Sequence, residues 1–224
     1  MTLEDKVDAT RRCLQQALSL AEVSRIAVAW TGGKDSSVAL ALWRELLGAS
    51  GRGADSVWAL SLDTGVKFPE VVDFRDSMAQ TWNLVLSVIR PEVDLAAYPL
   101  AQDPVQCCWD LKIQPLHQAV VSLGVDLLIT GVRADEHPER TSRFWLEKRS
   151  DPEFYTMHPL LHWTEIDIWS YTLQHNMPYC VLYDQGYRSL GCLPCTQPAS
   201  NQERSGRSGD KEDRLHILRS LGYF

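Results

Sequence analysis

The stretch Arg25-Ile-Ala-Val-Ala-Trp-Thr-Gly-Gly-Lys-Asp-Ser-Ser-Val38 decides the fold of this chain. Its first six residues are mostly apolar, which is typical of a short buried β-strand. A turn with two adjacent glycines follows at residues 31–36, and an apolar helical pattern runs from Ser37 to Leu47. The order strand, turn, helix predicts the first unit of a parallel α/β sheet.

The same order recurs along the 224 residues. Further strands are predicted at 56–62, 84–89 and 125–130, and further helices at 69–82, 115–123 and 165–175. Thr2, with Asp5 three residues later, predicts the cap of an N-terminal helix. The sequence therefore predicts an α/β fold, with a parallel twisted sheet and helices on both faces. One domain spanning residues 1–224 is expected. The polar, Gly/Ser-rich segment 199–213 is expected to be flexible without ligand.

The turn after the first strand has the features of a phosphate-binding loop. Gly32 and Gly33 allow the backbone to approach an anion closely, and the free N–H groups at the start of the next helix would point at it. Lys34 adds a positive charge. A simple glycine turn without ligand is the alternative. The predicted nucleotide-contacting residues of this loop are Thr31, Gly32, Gly33, Lys34, Asp35, Ser36 and Ser37.

Two other segments lie at the predicted carboxyl ends of strands, where ligands bind in open parallel sheets. Asp63-Thr64-Gly65 follows the second strand. Asp63, like Asp35, is a candidate metal or ribose contact, and Thr64 is a candidate nucleotide contact. Residues 131–143 follow the fourth strand, beginning at Gly131. Guanidinium groups bind phosphate and sulfate through paired hydrogen bonds, whereas a solvated charged loop is the alternative. The predicted catalytic set is Lys34, Asp35, Arg133, Arg140 and Arg143.

Six cysteines are present, and four of them form two close pairs. Cys107 and Cys108 are adjacent, and Cys192 and Cys195 stand in Cys-Leu-Pro-Cys. Thiolates suit iron–sulfur clusters and zinc, although an adjacent pair is unusual for structural zinc. Cys107, Cys108, Cys192 and Cys195 are therefore candidate ligands of a cluster, with zinc and a catalytic dithiol as alternatives. The remaining cysteines are expected in the core.

Bulk composition narrows the class of protein. The net charge of −7 argues against binding nucleic acid through overall charge. The N-terminus has no apolar run of the kind found in signal peptides, and no stretch is long enough to span a membrane. A cytoplasmic protein that acts on a small molecule is expected, and a homo-oligomer is compatible with the sequence.

Residues 31–36 resemble S-G-G-K-D-S, the signature of the PP-loop ATP pyrophosphatase superfamily, with Thr31 in place of serine. Residues 62–70 and 158–169 resemble its sulfonucleotide branch, which contains the sulfate adenylyltransferase small subunits and the phosphoadenosine phosphosulfate (PAPS) and adenosine phosphosulfate (APS) reductases. The resemblance implies an adenine nucleotide alpha hydrolase-like fold. It also implies binding of ATP with Mg²⁺ at the glycine loop.

The cysteine segments resemble the APS reductases more specifically. Residues 106–112 are similar to their C-C-x-x-x-K motif, and residues 191–198 to G-C-x-P-C-T-x-P. Residues 203–207 are similar to an E-R-x-G-R segment that closes over substrate. The resemblance implies a [4Fe-4S] cluster held by the four paired cysteines.

The C-terminus departs from that family. Its nucleophilic cysteine lies in K-E-C-G-L-H, whereas this chain has Lys211-Glu-Asp-Arg-Leu-His216. Asp213 stands where the cysteine would be, and a carboxylate cannot replace a thiolate in forming a thiosulfonate.

The retained ATP loop, the cysteines and Asp213 together favour an ATP-dependent adenylating enzyme of sulfur metabolism, which activates a substrate for sulfur transfer. Two alternatives remain. One is an APS or PAPS reductase with an external thiol, and the other is a nucleotide-binding iron–sulfur subunit of a larger complex. A sulfur or electron donor protein is the expected partner.

Overall fold

The computed structural model describes residues 1–53, 57–199 and 201–223. A six-stranded sheet has the order β3-β2-β1-β4-β6-β5. Its strands are β1 (Ile26–Ala29), β2 (Trp58–Leu62), β3 (Val85–Ile89), β4 (Leu127–Ile129), β5 (Leu146–Ser150) and β6 (Glu153–Met157). Strands β1, β2, β3, β4 and β6 run parallel, so the predicted α/β fold is confirmed. Ser56, in the predicted second strand, and Ser200, in the predicted flexible segment, lie outside the described residues.

Eight α-helices lie in the described part of the chain. They are α1 (Leu3–Leu20), α2 (Lys34–Ala49), α3 (Pro69–Thr81), α4 (Pro104–Cys108), α5 (Gln114–Leu123), α6 (Glu165–Gln174), α7 (Gly209–Asp213) and α8 (Leu215–Ser220). The predicted Thr2 cap is confirmed, because Thr2 and Asp5 exchange hydrogen bonds at the start of α1. Helix α5 ends where Gly124 adopts a left-handed conformation (φ 68°), which favours glycine.

Alternate residues of the central strands pack on opposite faces of the sheet. In β1, Ile26 and Val28 contribute to the core that contains Leu40 of α2 and Tyr171 of α6. Ala27 faces the second core, against Leu116 and other residues of α5. This alternation is the period of two expected of a strand. It confirms the predicted layers of helices on both faces. Among the described helices, none combines the length and apolarity needed to cross a bilayer.

The sheet is mostly parallel, as predicted, but it has one antiparallel edge strand that the sequence did not predict. Strand β5 pairs antiparallel with β6, with Lys148 opposite Tyr155. Antiparallel neighbours can be joined by a tight turn, and only two residues separate these strands. A β5–β6 hairpin therefore forms one end of the sheet, beside the loop that carries the predicted site arginines.

His158, directly after β6, makes the free energy of unfolding depend on pH below neutrality. Its ring is buried and lies 2.6 Å from the Thr130 hydroxyl through Nδ1. Burial disfavours the imidazolium and lowers the pKa of His158 to about 4, although Glu147 opposes this shift. The unfolded chain, with a histidine pKa of about 6.5, binds more protons between pH 6.5 and 4. Stability should therefore be complete above pH 6.5 and fall as the pH decreases through that window.

Urea unfolding at pH 7 and pH 5 measures this effect. His158 should account for about 2 kcal/mol of the stability lost by the wild type over this interval. His158→Gln should lack that component, while substitution of the exposed His216 by Gln should leave it in place. Equal pH slopes for the wild type and His158→Gln would refute the assignment.

Candidate functional site

The glycine loop turns directly from β1 into α2. Gly32 has φ 81°, and an added Cβ there would lie 3.1 Å from Val71 Cγ1, so the position favours glycine for conformation and space. Gly33 is the N-cap of α2 and its N–H donates to Thr31 Oγ1 at 3.2 Å. Ser36 Oγ lies 3.1 Å from Thr31 Oγ1. Ser37 accepts a hydrogen bond from Trp30 Nε1 at 3.1 Å, which ties the helix start to the core.

Lys34, predicted as the positive charge of the loop, is buried and already paired. Its ammonium donates to Glu203 Oε1 at 2.5 Å and to the Arg188 carbonyl at 2.9 Å, and lies 3.3 Å from Asp35 Oδ2. Burial opposes the charge, but these acidic partners outweigh it and raise the pKa of Lys34. The ammonium is therefore fixed in its charged form by carboxylates of the chain itself.

The three predicted arginines lie in different environments. Arg133 is completely buried and bonds Asp35 through Nε at 2.6 Å and both Glu203 oxygens through Nη2. Arg140 pairs with Glu136 and lines a cavity of about 150 Å³ beside the glycine loop. Arg143 bonds Glu147 at 3.1 Å and the Tyr223 carbonyl at 2.9 Å. Each arginine thus has a carboxylate partner.

Asp63 and Thr64, which follow β2, lie in different environments. Asp63 pairs with Arg75 at 3.4 Å and accepts from the Gly65 N–H at 3.1 Å. Burial acts to raise its pKa, but the Gly65 and Arg75 hydrogen bonds lower it. Thr64 instead lies 3.3 Å from Cys192 Sγ through its hydroxyl. The strand end therefore contacts Arg75 of α3 through Asp63 and Cys192 through Thr64.

Two cavities meet above the carboxyl ends of the strands. The loop cavity, of about 150 Å³, is lined by Gly33, Ser36, Gly131 and Arg140 among others. The cysteine cavity, of about 160 Å³, is lined by Thr64, Lys67, Lys112 and Cys192 among others. Both are also lined by Thr31, Leu190, Arg207 and Tyr223. An elongated ligand could extend from one cavity into the other.

The two cysteine pairs come together beside the second cavity. Cys107 and Cys108 end α4, and a π-helical turn over Trp109–Ile113 follows. Such turns often occur at functional sites. Cys192 forms a β-bridge with Lys67, and a 3₁₀ turn spans Leu193–Cys195. Burial raises the pKa of Cys107, and the thiols of Cys108, Cys192 and Cys195 act in the same direction against a backbone hydrogen bond from Ala101.

Cys192 lies in a positively charged environment. Burial alone would raise the pKa of this thiol, but Lys112 and the Thr64 hydroxyl outweigh burial and lower it to about 7. The Tyr223 hydroxyl accepts a hydrogen bond from Lys211 at 3.0 Å. Burial acts to raise the pKa of Tyr223, whereas Lys112 and Lys211 lower it to about 7. Negative charge is thus stabilised on this side of the site.

The charge balance of the two cavities differs. The cations near the glycine loop have carboxylates within 4.0 Å; these are Lys34, Arg133, Arg140, Arg143 and Arg204. The cations near the cysteines are Lys67, Lys112, Arg207 and Lys211. Within the described residues, none of these four forms an ion pair with a carboxylate, and Asp63 acts on Lys67 only at longer range. The cysteine cavity is therefore the part of the site with uncompensated positive charge.

Residues 25–198 match the sequence profile of the phosphoadenosine phosphosulfate reductase domain. The chain belongs to the phosphoadenosine phosphosulfate reductase family. The adenosine 5′-phosphosulfate reductase of Bacillus velezensis is 37% identical over 158 residues, which cover 65% of this chain and 66% of that protein. The one from Geobacillus thermodenitrificans is 35% identical over 169 residues, covering 70% and 71%. The family predicted from the motifs is confirmed.

Solved structures give the same fold at low sequence identity. The PAPS reductase of Candida auris superposes with a TM-score of 0.69 at 19% identity, over 84% of this chain and 90% of that protein. The FMN adenylyltransferase of Candida glabrata, bound to FMN and an ATP analogue, gives a TM-score of 0.73 at 20% identity, over 96% and 76%. The fold therefore occurs in enzymes of different reaction types. The sequence relatives favour the reductase alternative over adenylation.

The site brings the predicted residues into two groups. Thr31, Gly33, Asp35, Ser36, Gly131 and Arg140 line the first cavity, and Lys34 and Arg133 pair with Asp35 beside it. Thr64 and Cys192 line the second cavity. The predicted contact set omitted Lys67, Lys112, Glu203, Arg207, Lys211 and Tyr223, all of which lie at the site. Lys112 had a readable signal, because it follows Cys108 by four residues.

Proposed function

We propose that this chain is a sulfonucleotide reductase that takes APS or PAPS and uses a thiol from another molecule. The observation that carries the proposal is the uncompensated positive charge beside Cys192. A sulfonucleotide ends in a sulfo group, and Lys67, Lys112 and Arg207 line a cavity suited to such an anion. The adenosine 5′-phosphate part, which carries fewer negative charges than a triphosphate, would lie in the glycine-loop cavity, where the cations are already paired.

The shared lining of the two cavities supports this orientation. At the start of α2 the N–H groups of Gly33 and Lys34 already donate to Thr31 Oγ1 and the Tyr183 hydroxyl, so a single phosphate would use the N–H groups of Asp35 and Ser36. From there the ligand would pass Thr31 and Arg207 to reach the cysteine cavity. The substrate sulfur would then lie at the cysteine side, away from Lys34.

The cysteines fit a [4Fe-4S] cluster better than one zinc ion. Zinc–sulfur bonds of about 2.3 Å place four thiolates about 3.8 Å apart. Among the described residues, no three cysteine sulfurs gather within 4.8 Å of one another. Cys107, Cys108, Cys192 and Cys195 would hold the larger cluster, and Lys112 would stabilise its anionic ligand set. When bound, the cluster would supply electrostatic polarisation near the sulfo group.

The reaction needs an external thiol because Asp213 offers none. Asp213 is exposed and lines neither cavity. An incoming thiolate would attack the sulfur, displacing AMP and forming a thiosulfonate. A second thiol would release sulfite and leave a disulfide, so the two electrons come from the two thiols. Lys112 and Arg207 would neutralise charge on the transferred group.

The test is sulfite release from APS and from PAPS by anaerobically purified protein, with dithiothreitol or thioredoxin as the thiol source. Sulfite formed with one equivalent of AMP or adenosine 3′,5′-bisphosphate is the expected result. No sulfite from either nucleotide with either donor, by protein that contains iron and sulfide, would overturn the proposal.

ATP-dependent adenylation is the second candidate, and the intact glycine loop supports it. Carboxylate oxygens of Asp35, Glu136 and Glu203 lie within 4.8 Å of one another, which suits a hard cation such as Mg²⁺. On this account Lys34 and Arg133 would bind the pyrophosphate. Pyrophosphate release from ATP, measured against a panel of sulfate, tRNA and small acceptors, would establish it. ATP left uncleaved with every acceptor would count against it.

A further inference from the structure

The carboxylate of Glu203 pairs with two cationic side chains beside the glycine loop. Both of its oxygens lie 2.5–2.6 Å from Arg133 Nη2, and Oε1 also lies 2.5 Å from Lys34 Nζ. The glutamate side chain is 8% exposed. Lys34 begins α2 directly after the glycine loop, and Arg133 bonds the adjacent Asp35. Both side chains are buried, so a nucleotide's terminal phosphates would meet them only if Glu203 gave way. The Glu203 carboxylate therefore pairs with both cations and takes the place of an anionic ligand there.

We infer that Glu203 determines nucleotide specificity by excluding a pyrophosphate group from the glycine loop. The inference rests on the proposed function, since it explains how an ATP-type loop can serve a nucleotide with one 5′-phosphate. A bound triphosphate would have to displace Glu203 from Lys34 and Arg133. Its charge would also lie beside Asp35 and Glu136, whose carboxylates cluster with that of Glu203.

The segment that carries Glu203 is anchored on both sides. Gln197 N–H donates to the Gly206 carbonyl at 2.7 Å, and Thr196 forms a β-bridge with Arg207. An added Cβ on Gly206 would lie 2.0 Å from the Gln197 carbonyl oxygen, so the backbone at Gly206 packs closely against the backbone at Gln197. Arg204 is bonded to both oxygens of Glu212. These contacts constrain the backbone that directly follows Glu203, and with it the position from which the Glu203 side chain extends.

The anionic groups of a sulfonucleotide can be bound without Lys34 and Arg133, unlike those of ATP. Its single 5′-phosphate can use the N–H groups at the start of α2, and its sulfo group can use Lys112 and Arg207. Neither contact requires Lys34 or Arg133. On this inference the added phosphates of ATP would need those two cations. Glu203 would thus select between the two nucleotides without touching the sulfo group.

The experiment measures binding of inorganic pyrophosphate, ATP and AMP by calorimetry, in EDTA, to the wild type and to Glu203→Gln. The neutral amide removes the negative charge that faces both cations, so pyrophosphate and ATP should bind at least about tenfold more tightly, with AMP changed less than about threefold. Glu45→Gln is the matched control, because Glu45 lies on the same helix as Lys34 and pairs with Arg11 instead. It should bind all three ligands as the wild type does.

Unchanged or weaker pyrophosphate binding by folded Glu203→Gln would overturn the inference, because Glu203 would then assist the anion or act only as a lid. If that variant does not fold, Glu203→Asp withdraws the carboxylate by one methylene. It should give a smaller gain in the same direction, and no gain would overturn the inference. Sulfite release by the wild type is independent of both outcomes. The specificity inference and the proposed reaction can therefore fail separately.

Discussion

Replacing Cys192 with serine is expected to remove most of the iron from the reconstituted protein and to lower sulfite release at least about a hundredfold. Cys192 is 9% exposed and lies beside Thr64 and Lys112, in the cavity with uncompensated positive charge. Serine is a poor iron ligand, because its hydroxyl does not ionise near neutral pH as a thiol does. The variant should keep its fold, since serine and cysteine are similar in size.

Iron and acid-labile sulfide, measured after anaerobic reconstitution, give the direct readout. Cys13→Ser is the control, because Cys13 lies on α1, among residues packed against the first core. It should retain iron and activity. Wild-type levels of iron in Cys192→Ser, or a wild-type protein that takes up no iron, would contradict the assignment of these cysteines.

Gly131→Ala should abolish nucleotide binding and destabilise the chain by about 1–3 kcal/mol, the usual cost of overpacking. An added Cβ would lie 2.6 Å from Ser36 N and 2.7 Å from the Asp35 carbonyl carbon. These are backbone atoms at the start of α2, which cannot move without shifting the glycine loop. The end of β4 must therefore carry glycine if the loop is to approach it this closely.

Nucleotide binding and urea unfolding of Gly131→Ala should change together. Gly209→Ala is the matched control, since no atom lies within 4 Å of an added Cβ there. It should behave as the wild type in both measurements. Normal AMP affinity in Gly131→Ala would show that the close packing of β4 on α2 does not shape the binding site.

The sequence predicted the parts of the fold that local pattern determines. The apolar run before Thr31, the paired glycines and the helix after them specify β1 and α2 within a few residues. Thr2 likewise specified the first helix through its capping box. These signals act between near neighbours in the chain, so a single sequence displays them.

The β5–β6 hairpin was missed in part because β5 does not show the expected pattern. Residues Leu146–Ser150 carry three charged side chains and form the edge of the sheet. Edge strands tolerate charge and need only one partner. The apolar alternation that marks a half-buried strand is therefore weak in β5.

The charge pairing of the site could not be read from sequence. Glu203 lies 169 residues from Lys34 along the chain, yet it holds the ammonium. The sequence suggested that Lys34 and Arg133 were free for an anion, whereas both are paired. Likewise, the approach of Tyr223 to Lys112 and Lys211 follows only from the placement of the C-terminal helices. Long-range ion pairing depends on the tertiary fold, which is why the site residues beyond the motifs were missed.

The measurement that tests the central claim most directly compares APS with AMP, which differ only in the sulfo group. Affinities of both nucleotides for the wild type and for Lys112→Gln, taken without thiol, form a thermodynamic cycle. Because Lys112 lines the cysteine cavity, the preference of the wild type for APS should fall at least about tenfold in the variant, with AMP affinity unchanged. Lys148→Gln, at an exposed lysine of β5, should keep the wild-type preference. An unchanged preference for APS, or an equal loss of both affinities, would contradict binding of the sulfo group beside the cysteines.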